Sequence, residues 1–317
     1  MTERLLLADL GGTNTRVGLG NGAGLITDSA RSFSNADFDS LTPLLQAYLS
    51  DIGTPPITAL CAGVAGPVNG EAAQLTNHDW MIKASALREA TGATEVRLLN
   101  DLQAQGYALD DLTPDSVTSL FPGAATSDDA TRLVLGLGTG CNVAVVHRTS
   151  LGLLVPAAES GHTHLPHCDG NLGKLITHLG QSHAHRPIES ALSGPGLQNI
   201  YHWVTGSDLP ADQIIVAAIK GDTSARKAID LFTQLLGTVA GDLALTHLPM
   251  GGIFLIGGLA RAIAPFLADS GFHAAFTAKG PYTAIAQDIP VLLIKDDMAA
   301  LRGCARYLRQ EMTQTTF

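Results

Sequence analysis

The 317-residue sequence is poor in the residues that build disulfide frameworks and metal ribbons. It has four cysteines, Cys61, Cys141, Cys168 and Cys304, far apart and with no paired spacing. That pattern argues against a zinc ribbon and against a redox Cys-x-x-Cys motif. Cys61 and Cys141 fall inside apolar runs read as strands, where a small buried thiol is expected. Positive charge is scarce too. The 19 lysines and arginines are outnumbered by 29 acidic residues, for a formal net charge of −10. Because they are scattered, the basic stripe of a nucleic-acid surface is missing. The apolar run before Asp9 spans about six residues, short of the ~7 to 15 of a signal-peptide core, and no stretch is read as a membrane span. A soluble, unexported protein of the reducing cytoplasm is the expectation.

Two common nucleotide signatures are also missing. No Gly-Lys-Ser/Thr follows a glycine-rich loop, which excludes a Walker A motif, and no helix opens after the glycines of the hairpins described next, which excludes a dinucleotide fingerprint there. What is present is an ordinary globular composition, 45% hydrophobic and 15% charged, in a chain long enough for two domains. Residues Leu6 to Gly20 (LLADLGGTNTRVGLG) read as strand, Gly-Gly-Thr-Asn turn and strand. Glycines let backbone N–H groups converge without a Cβ in the way, and such a concavity attracts phosphate. Asp9 sharpens the reading, since a carboxylate beside a triphosphate is repelled unless Mg²⁺ lies between them, directly or through water. Residues Arg132 to Val146 (RLVLGLGTGCNVAVV) repeat the scheme. Two copies suggest a duplicated fold that grips a nucleotide between its halves.

Along the chain, Asn21 to Gly24 marks a tight turn into a third strand near Leu25 to Thr27, an antiparallel meander. Apolar residues at helical spacing predict a helix from Phe38 to Leu49, with Asp37 as N-cap and Gly53 beyond its end. Ile57 to Val64 and Glu71 to Leu75 read as strands, followed by the polar loop Thr76 to Trp80. Trp80 fits either the core or the floor of a pocket. A helix over Ser85 to Thr91, stopped by Gly92, precedes strand Val96 to Leu99 and then Asn100-Asp101. That position is where open α/β sheets place ligands, although either residue could simply cap a helix over Leu102 to Leu109. Thr113 to Asp129, with Pro114, Pro122 and Gly123, reads as an interdomain linker.

Leu151 to Val155 is a further strand. After it, His162, His164, His167 and Cys168 lie close enough to invite a metal reading, but His162 and His164 alternate sides in an extended loop. A helix is expected over Asn171 to Leu179, ended by Gly180, with His183 and His185 facing solvent. Glu189 precedes a glycine-rich loop and a helix from about Leu197 to Val204; helices Ala211 to Ile219 and Thr223 to Leu248 follow. Strand Gly251 to Ile256 delivers Gly257-Gly258 to a helix, a layout that suits a flat adenine against bare backbone or, equally, close helix packing. Ile289 to Ile294 is the last strand, and a helix continues through about Gln310.

Asp9-Leu-Gly-Gly-Thr-Asn14, Thr76-Asn-His-Asp-Trp80, Asn100-Asp101, Gly138-Thr-Gly140, Glu159-Ser-Gly-His162, Glu189-Ser-Ala-Leu-Ser-Gly-Pro-Gly196 and Gly257-Gly258 occur in that order. Together they resemble the bacterial glucokinases, members of the hexokinase, heat-shock ATPase and actin superfamily. Each motif is weak alone, but the series covers essentially the whole chain in register. The resemblance implies an α/β, two-domain actin-like ATPase (ribonuclease H-like) fold with duplicated phosphate hairpins and an interdomain cleft. Residues 1–112 plus 298–317 would form the smaller domain, closed by the C-terminal helix, and 113–297 the larger.

The implied activity is ATP-dependent phosphorylation of D-glucose to glucose 6-phosphate, with Asp101 as general base. Asn77, Asn100, Asp101, Glu159, His162 and Glu189 would bind the sugar. Asp9, Gly11, Gly12, Thr13, Asn14, Gly138, Thr139, Gly140, Gly257 and Gly258 would bind ATP and its Mg²⁺, and the enzyme would be a homodimer. A related branch of sugar kinases carries a structural zinc held by a cysteine-rich motif; this sequence lacks those cysteines, so no zinc is expected. His164 and His167 depart from the residues usual in close glucokinases.

Three other readings share parts of the pattern. A kinase for mannose, fructose or an amino sugar would keep nearly every residue named. An actin-like ATPase would keep the hairpins but has no need of Asn100 and Asp101 with Glu159, His162 and Glu189. A transcriptional repressor of the related sugar-kinase family would need a helix-turn-helix before Asp9, where eight residues stand.

Overall fold

The computed structural model of the chain describes residues 4–76, 78–182 and 185–315. Asn77 and His183 therefore lie outside the described residues. The chain divides into two compact units, one of Met1–Thr113, Thr149–Ala157 and Asp296–Phe317, the other of Pro114–Arg148 and Ala158–Lys295.

The first unit is built on a five-stranded sheet ordered Gly24–Ser34, Asn14–Asn21, Leu5–Leu10, Ala59–Val64, Glu95–Asn100. The first hairpin pairs antiparallel, whereas Leu5–Leu10, Ala59–Val64 and Glu95–Asn100 run parallel. Every residue of Ala59–Val64 is buried, the continuous apolar run that a parallel strand covered on both faces requires. The helix expected from Phe38 begins later, at Leu41, and runs to Asp51. Asp37 does not cap it: Asn35–Asp37 form a short 3-10 turn, tied back to the first hairpin, which delays entry into the helix. Phe38 instead packs edge-on against Phe33, with ring centroids 5.9 Å apart. Trp80 lies in the core cluster of this unit with Leu44, Leu45 and Tyr48.

The C-terminal helix Ala299–Thr315 closes the first unit. It crosses helix Asp101–Tyr107 so closely that a Cβ on Gly303 would overlap the Ala104 carbonyl. Arg306 donates to Asp110 and Asp111 at 3.1 and 2.9 Å, and Arg309 also reaches Asp111. The residues 149–157, placed in the larger domain by the sequence reading, group with the first unit. Gln310 brackets Leu153, accepting from its N–H at 2.8 Å and donating to its carbonyl at 2.9 Å.

The second unit carries a sheet in which Cys141–Thr149, Arg132–Leu137, Ile253–Ile256, Val291–Ile294 and Val117–Phe121 are neighbours in that order. The last of these corrects the linker reading of Thr113 to Asp129. Val117–Phe121 is an edge strand, antiparallel to Val291–Ile294, and Phe121 stacks on Phe272 and His273 at 5.5 and 4.9 Å. Pro122 follows this strand directly, and Pro114 opens the 3-10 turn Pro114–Ser116 that precedes it, so neither removes a donor from the ladder. Gly180 does not end its helix, which runs Gly170–Ser182; the bare Cα there admits the Arg186 side chain. Among the described residues, helix Thr223–His247 is long and apolar enough to cross a membrane, but 67% of its apolar window is buried, and Ile229, Phe232, Leu235 and Leu236 form the core of this unit.

Candidate active site

In the first unit, strand register brings three segments to one edge. Leu10 lies beside Val64 and Val64 beside Asn100, so the first glycine turn, the loop after Val64 and Asn100-Asp101 all leave the carboxyl ends of adjacent parallel strands, the usual ligand edge of such sheets. Gly11 N–H donates to Asn14 O at 3.0 Å and closes the turn, with Thr13 and Asn14 exposed at its tip. The turn hangs on Asn35, a residue that is only 1% exposed. Its Nδ2 donates to Gly11 O at 2.8 Å, its Oδ1 accepts from Thr15 Oγ1 at 2.7 Å, and its N–H donates to Thr13 O at 2.9 Å. Asp9 faces Arg16 at 3.5 Å. Burial pushes its carboxyl above the usual range, with Arg16 pulling the other way.

Of the two capping candidates, Asn100 takes the cap. Its Oδ1 accepts from Leu102 N–H at 3.0 Å, and Gln103 Oε1 accepts from Asn100 N–H at 3.0 Å, a reciprocal capping box. Asn100 Nδ2 also donates to Gly66 O at 3.2 Å, and Gln103 Nε2 to Val155 O at 2.9 Å. Asp101 is thereby the first residue of its helix, its Oδ1 accepting from Leu102 N–H at 2.9 Å.

In the second unit the turn closes in the same way, Gly138 N–H donating to Gly140 O at 2.9 Å. Its braces come from other segments. Gly194 N–H, at the start of helix Gly194–Thr205, donates to Gly138 O at 2.8 Å, and Glu189 Oε2 accepts from Cys141 N–H at 2.9 Å. A Cβ on Gly161 would overlap the Cys141 carbonyl, so the Glu159–His162 turn lies directly on the outgoing strand. Asn142, 9% exposed, fixes that turn: its Nδ2 donates to Ala158 O at 2.7 Å and Glu159 Oε2 at 3.2 Å, and its Oδ1 accepts from Val143 and Ser160 N–H at 2.8 and 3.0 Å. Backbone bonds from Ile188 to Thr163 (2.8 Å) and from Leu165 to Arg186 (2.9 Å) then set Glu189 beside the turn.

Although Glu159 is exposed, partial desolvation at the turn raises its carboxyl above the ordinary value, His162 pulls it down and Glu189 adds to the rise. Burial and the Glu189 carboxylate push the Cys141 thiol up to about 12, which keeps it a neutral, unreactive core group. At the next strand, Gly257 has φ 107 and passes so close to Leu137 O that any side chain would clash, whereas the Cα of Gly258 faces open space.

The other histidines separate from this cluster. His164, His167 and Cys168 line an open cavity of about 580 Å³ with Lys174 and Arg186, and His185 is exposed. Among the described residues no three His, Cys, Asp or Glu side chains are grouped to hold a metal. The sequence reading missed Asn35, Gln103 and Asn142. Asn142 carried a signal as the one polar residue between Cys141 and Val146 in an apolar strand, and Gln103 carried one through the Asn-x-x-Gln spacing of a capping box, whereas Asn35 carried none.

A Glucokinase family model matches residues 6–311. The chain belongs to the glucokinase family. It is accordingly a kinase, with ATP and glucose as its small-molecule substrates. A glucokinase of Yersinia enterocolitica is 32% identical over 323 residues, 99% of each chain. The crystal structure of a glucokinase from an Antarctic psychrotroph superposes with a TM-score of 0.85 at 30% identity, over 97% of this chain and 99% of that one. Glucokinase of Balamuthia mandrillaris, solved in complex with glucose, shares the fold with a TM-score of 0.80 at 21% identity, over 98% of this chain and 94% of that one. The fold is the actin-like two-domain ATPase fold of glucokinases and related sugar kinases.

Proposed function

We propose that the chain transfers the γ-phosphoryl group of Mg-ATP to the 6-hydroxyl of D-glucose, with Asp101 as general base and the two compact units as its domains. The observation that carries the mechanism is the capping box: because Asn100 and Gln103 cap the helix, Asp101 is not required as its cap and stands at the same sheet edge as the first glycine turn, one strand removed. As the sugar oxygen bonds to phosphorus and ADP leaves with the electrons of the broken P–O bond, the hydroxyl proton passes to Asp101. A carboxylate is a weak base toward an alcohol, so this transfer comes late.

Asn77, Asn100, Glu159, His162 and Glu189 supply the directional donors and acceptors that sugar hydroxyls require. Gly11, Gly12, Thr13 and Asn14 and Gly138, Thr139 and Gly140 cradle phosphates with backbone, and Gly257 and Gly258 leave room for the adenosine. Asp9 is the carboxylate suited to face Mg²⁺ through water: its burial without a full-strength partner is a cost that a hard divalent cation would offset. Bound with ATP, the ion would neutralise phosphate charge. The four free cysteines, three of them buried, suit a reducing cytoplasm, and a homodimer is the assembly we expect, to be read by analytical ultracentrifugation.

A panel of hexoses with Mg-ATP, following sugar-dependent ADP release, tests the reading. Glucose is expected to be turned over in preference to mannose, fructose and amino sugars. Robust turnover of another hexose without glucose turnover would overturn the substrate and keep the class; ATP hydrolysis indifferent to every sugar would overturn the class.

A further inference from the structure

Asn142 uses both ends of its amide on the turn that presents Glu159. The Nδ2 group donates to Ala158 O and Glu159 Oε2, and the Oδ1 atom accepts from Ser160 N–H and from its own neighbour Val143. Asn142 is also the second residue after the glycine turn Gly138–Gly140, and the preceding residue, Cys141, holds Glu189 through its N–H. The phosphate turn and two sugar-facing carboxylates therefore share one short stretch of strand. We propose that Asn142 is a positioning residue for glucose: it orients the Glu159 carboxylate and locks the 158–160 backbone to the strand that leaves the phosphate turn.

The physical case rests on three points. Two carboxylates, Glu159 and Glu189, approach each other with His162 as the nearby group of opposite tendency. Without a donor on its Oε2 side, Glu159 would swing toward His162 or solvent, because repulsion from Glu189 favours separation. A buried amide with every bonding position engaged is rigid, and a group that must meet a particular hydroxyl loses its selectivity when it is free to move. The inference rests on the reading of Glu159 as a sugar ligand.

The test is glucose binding by calorimetry, with ATP KM and thermal melting measured on the same proteins. Asn142→Asp keeps the shape and the acceptor for Ser160 N–H, but sets a carboxylate against Ala158 O and Glu159, within the field of Glu189 and His162. It is expected to weaken glucose binding by about 10- to 100-fold near neutral pH, the scale of a misplaced binding group, with ATP KM within about twofold of wild type. As pH falls, one proton shared between the introduced carboxyl and Glu159 removes their repulsion and restores an O–H···O bond, so the gap in glucose affinity between this variant and wild type should narrow. Full protonation of Glu159 at lower pH should weaken binding in both proteins. For Asn142→Ala the gap should not narrow as pH falls. Glucose affinity unchanged in both variants, or loss of glucose and ATP affinity together with melting, would overturn the positioning role. Wild-type protein that binds no glucose would instead sink the sugar reading on which it stands.

Discussion

The two glycine turns close with nearly the same backbone bond, 3.0 Å from Gly11 to Asn14 and 2.9 Å from Gly138 to Gly140, and each lies beside the end of a parallel strand. Their support differs. The first turn is held by one buried amide, Asn35, that touches it at Gly11, Thr13 and Thr15. The second is held by a helix start, Gly194, and by a carboxylate, Glu189. A neutral brace can be removed without stranding a charge, whereas the second turn is wired to groups that also have chemistry to perform. Duplication thus repeats the strand–turn–strand plan while leaving each copy to acquire its own partners.

The largest expected effect lies on the first side of that comparison. Asp101→Asn keeps the shape and the bond from Leu102 N–H, and Asn100 still caps the helix. kcat should therefore fall by roughly 10² to 10⁴-fold, the usual range for a general base, while glucose affinity by calorimetry persists. Near-normal turnover of the folded variant would remove Asp101 from the mechanism.

Asn35→Ala comes next. It strands the buried Thr15 Oγ1, at about 1 to 3 kcal/mol for a buried polar group left unpaired, leaves the half-buried Gly11 O without its donor, and frees the first turn. Thermal or urea unfolding should show the loss, and ATP KM should rise while glucose affinity stays near wild type. An equal loss of glucose affinity would erase the distinction drawn between the two turns.

The smallest effect belongs to the second side. Glu159 is exposed on the second unit, yet partial desolvation and Glu189 raise its carboxyl above the ordinary value, so folding disfavours its ionised form only weakly, with water screening most of the repulsion. Glu159→Gln removes that cost, so Tm should rise slightly at pH 7 to 8 even as glucose binding is lost. The gain should fade as pH falls through the raised folded value toward the ordinary one, because the wild-type carboxyl is then protonated in the folded chain too. A Tm that falls at pH 8 would contradict the shift.

Much of the fold was legible because its signals are local. Apolar strands around glycine turns, the helix stop at Gly92, with φ 72, and the strand leading to Asn100-Asp101 each depend on a few adjacent residues. Signals that look alike locally misled. Pro114, Pro122 and Gly123 resemble a linker, yet Val117–Phe121 between them finds a free sheet edge beside Val291–Ile294. Gly180 resembles a helix stop, yet it serves to admit Arg186.

By itself the sequence determined where the two turns stand, which residues line them and which family of enzymes they belong to, because glycine, threonine and carboxylates at fixed spacing carry their chemistry with them. Only the tertiary structure decided how those groups are held. Asn35 bonds to Thr15 across 20 positions, Asn142 to Glu159 across 17 and Gln310 to Leu153 across 157. A polar side chain satisfied by so distant a partner has no neighbour in sequence that announces it, and its place is set when burial forces every donor and acceptor to find a mate.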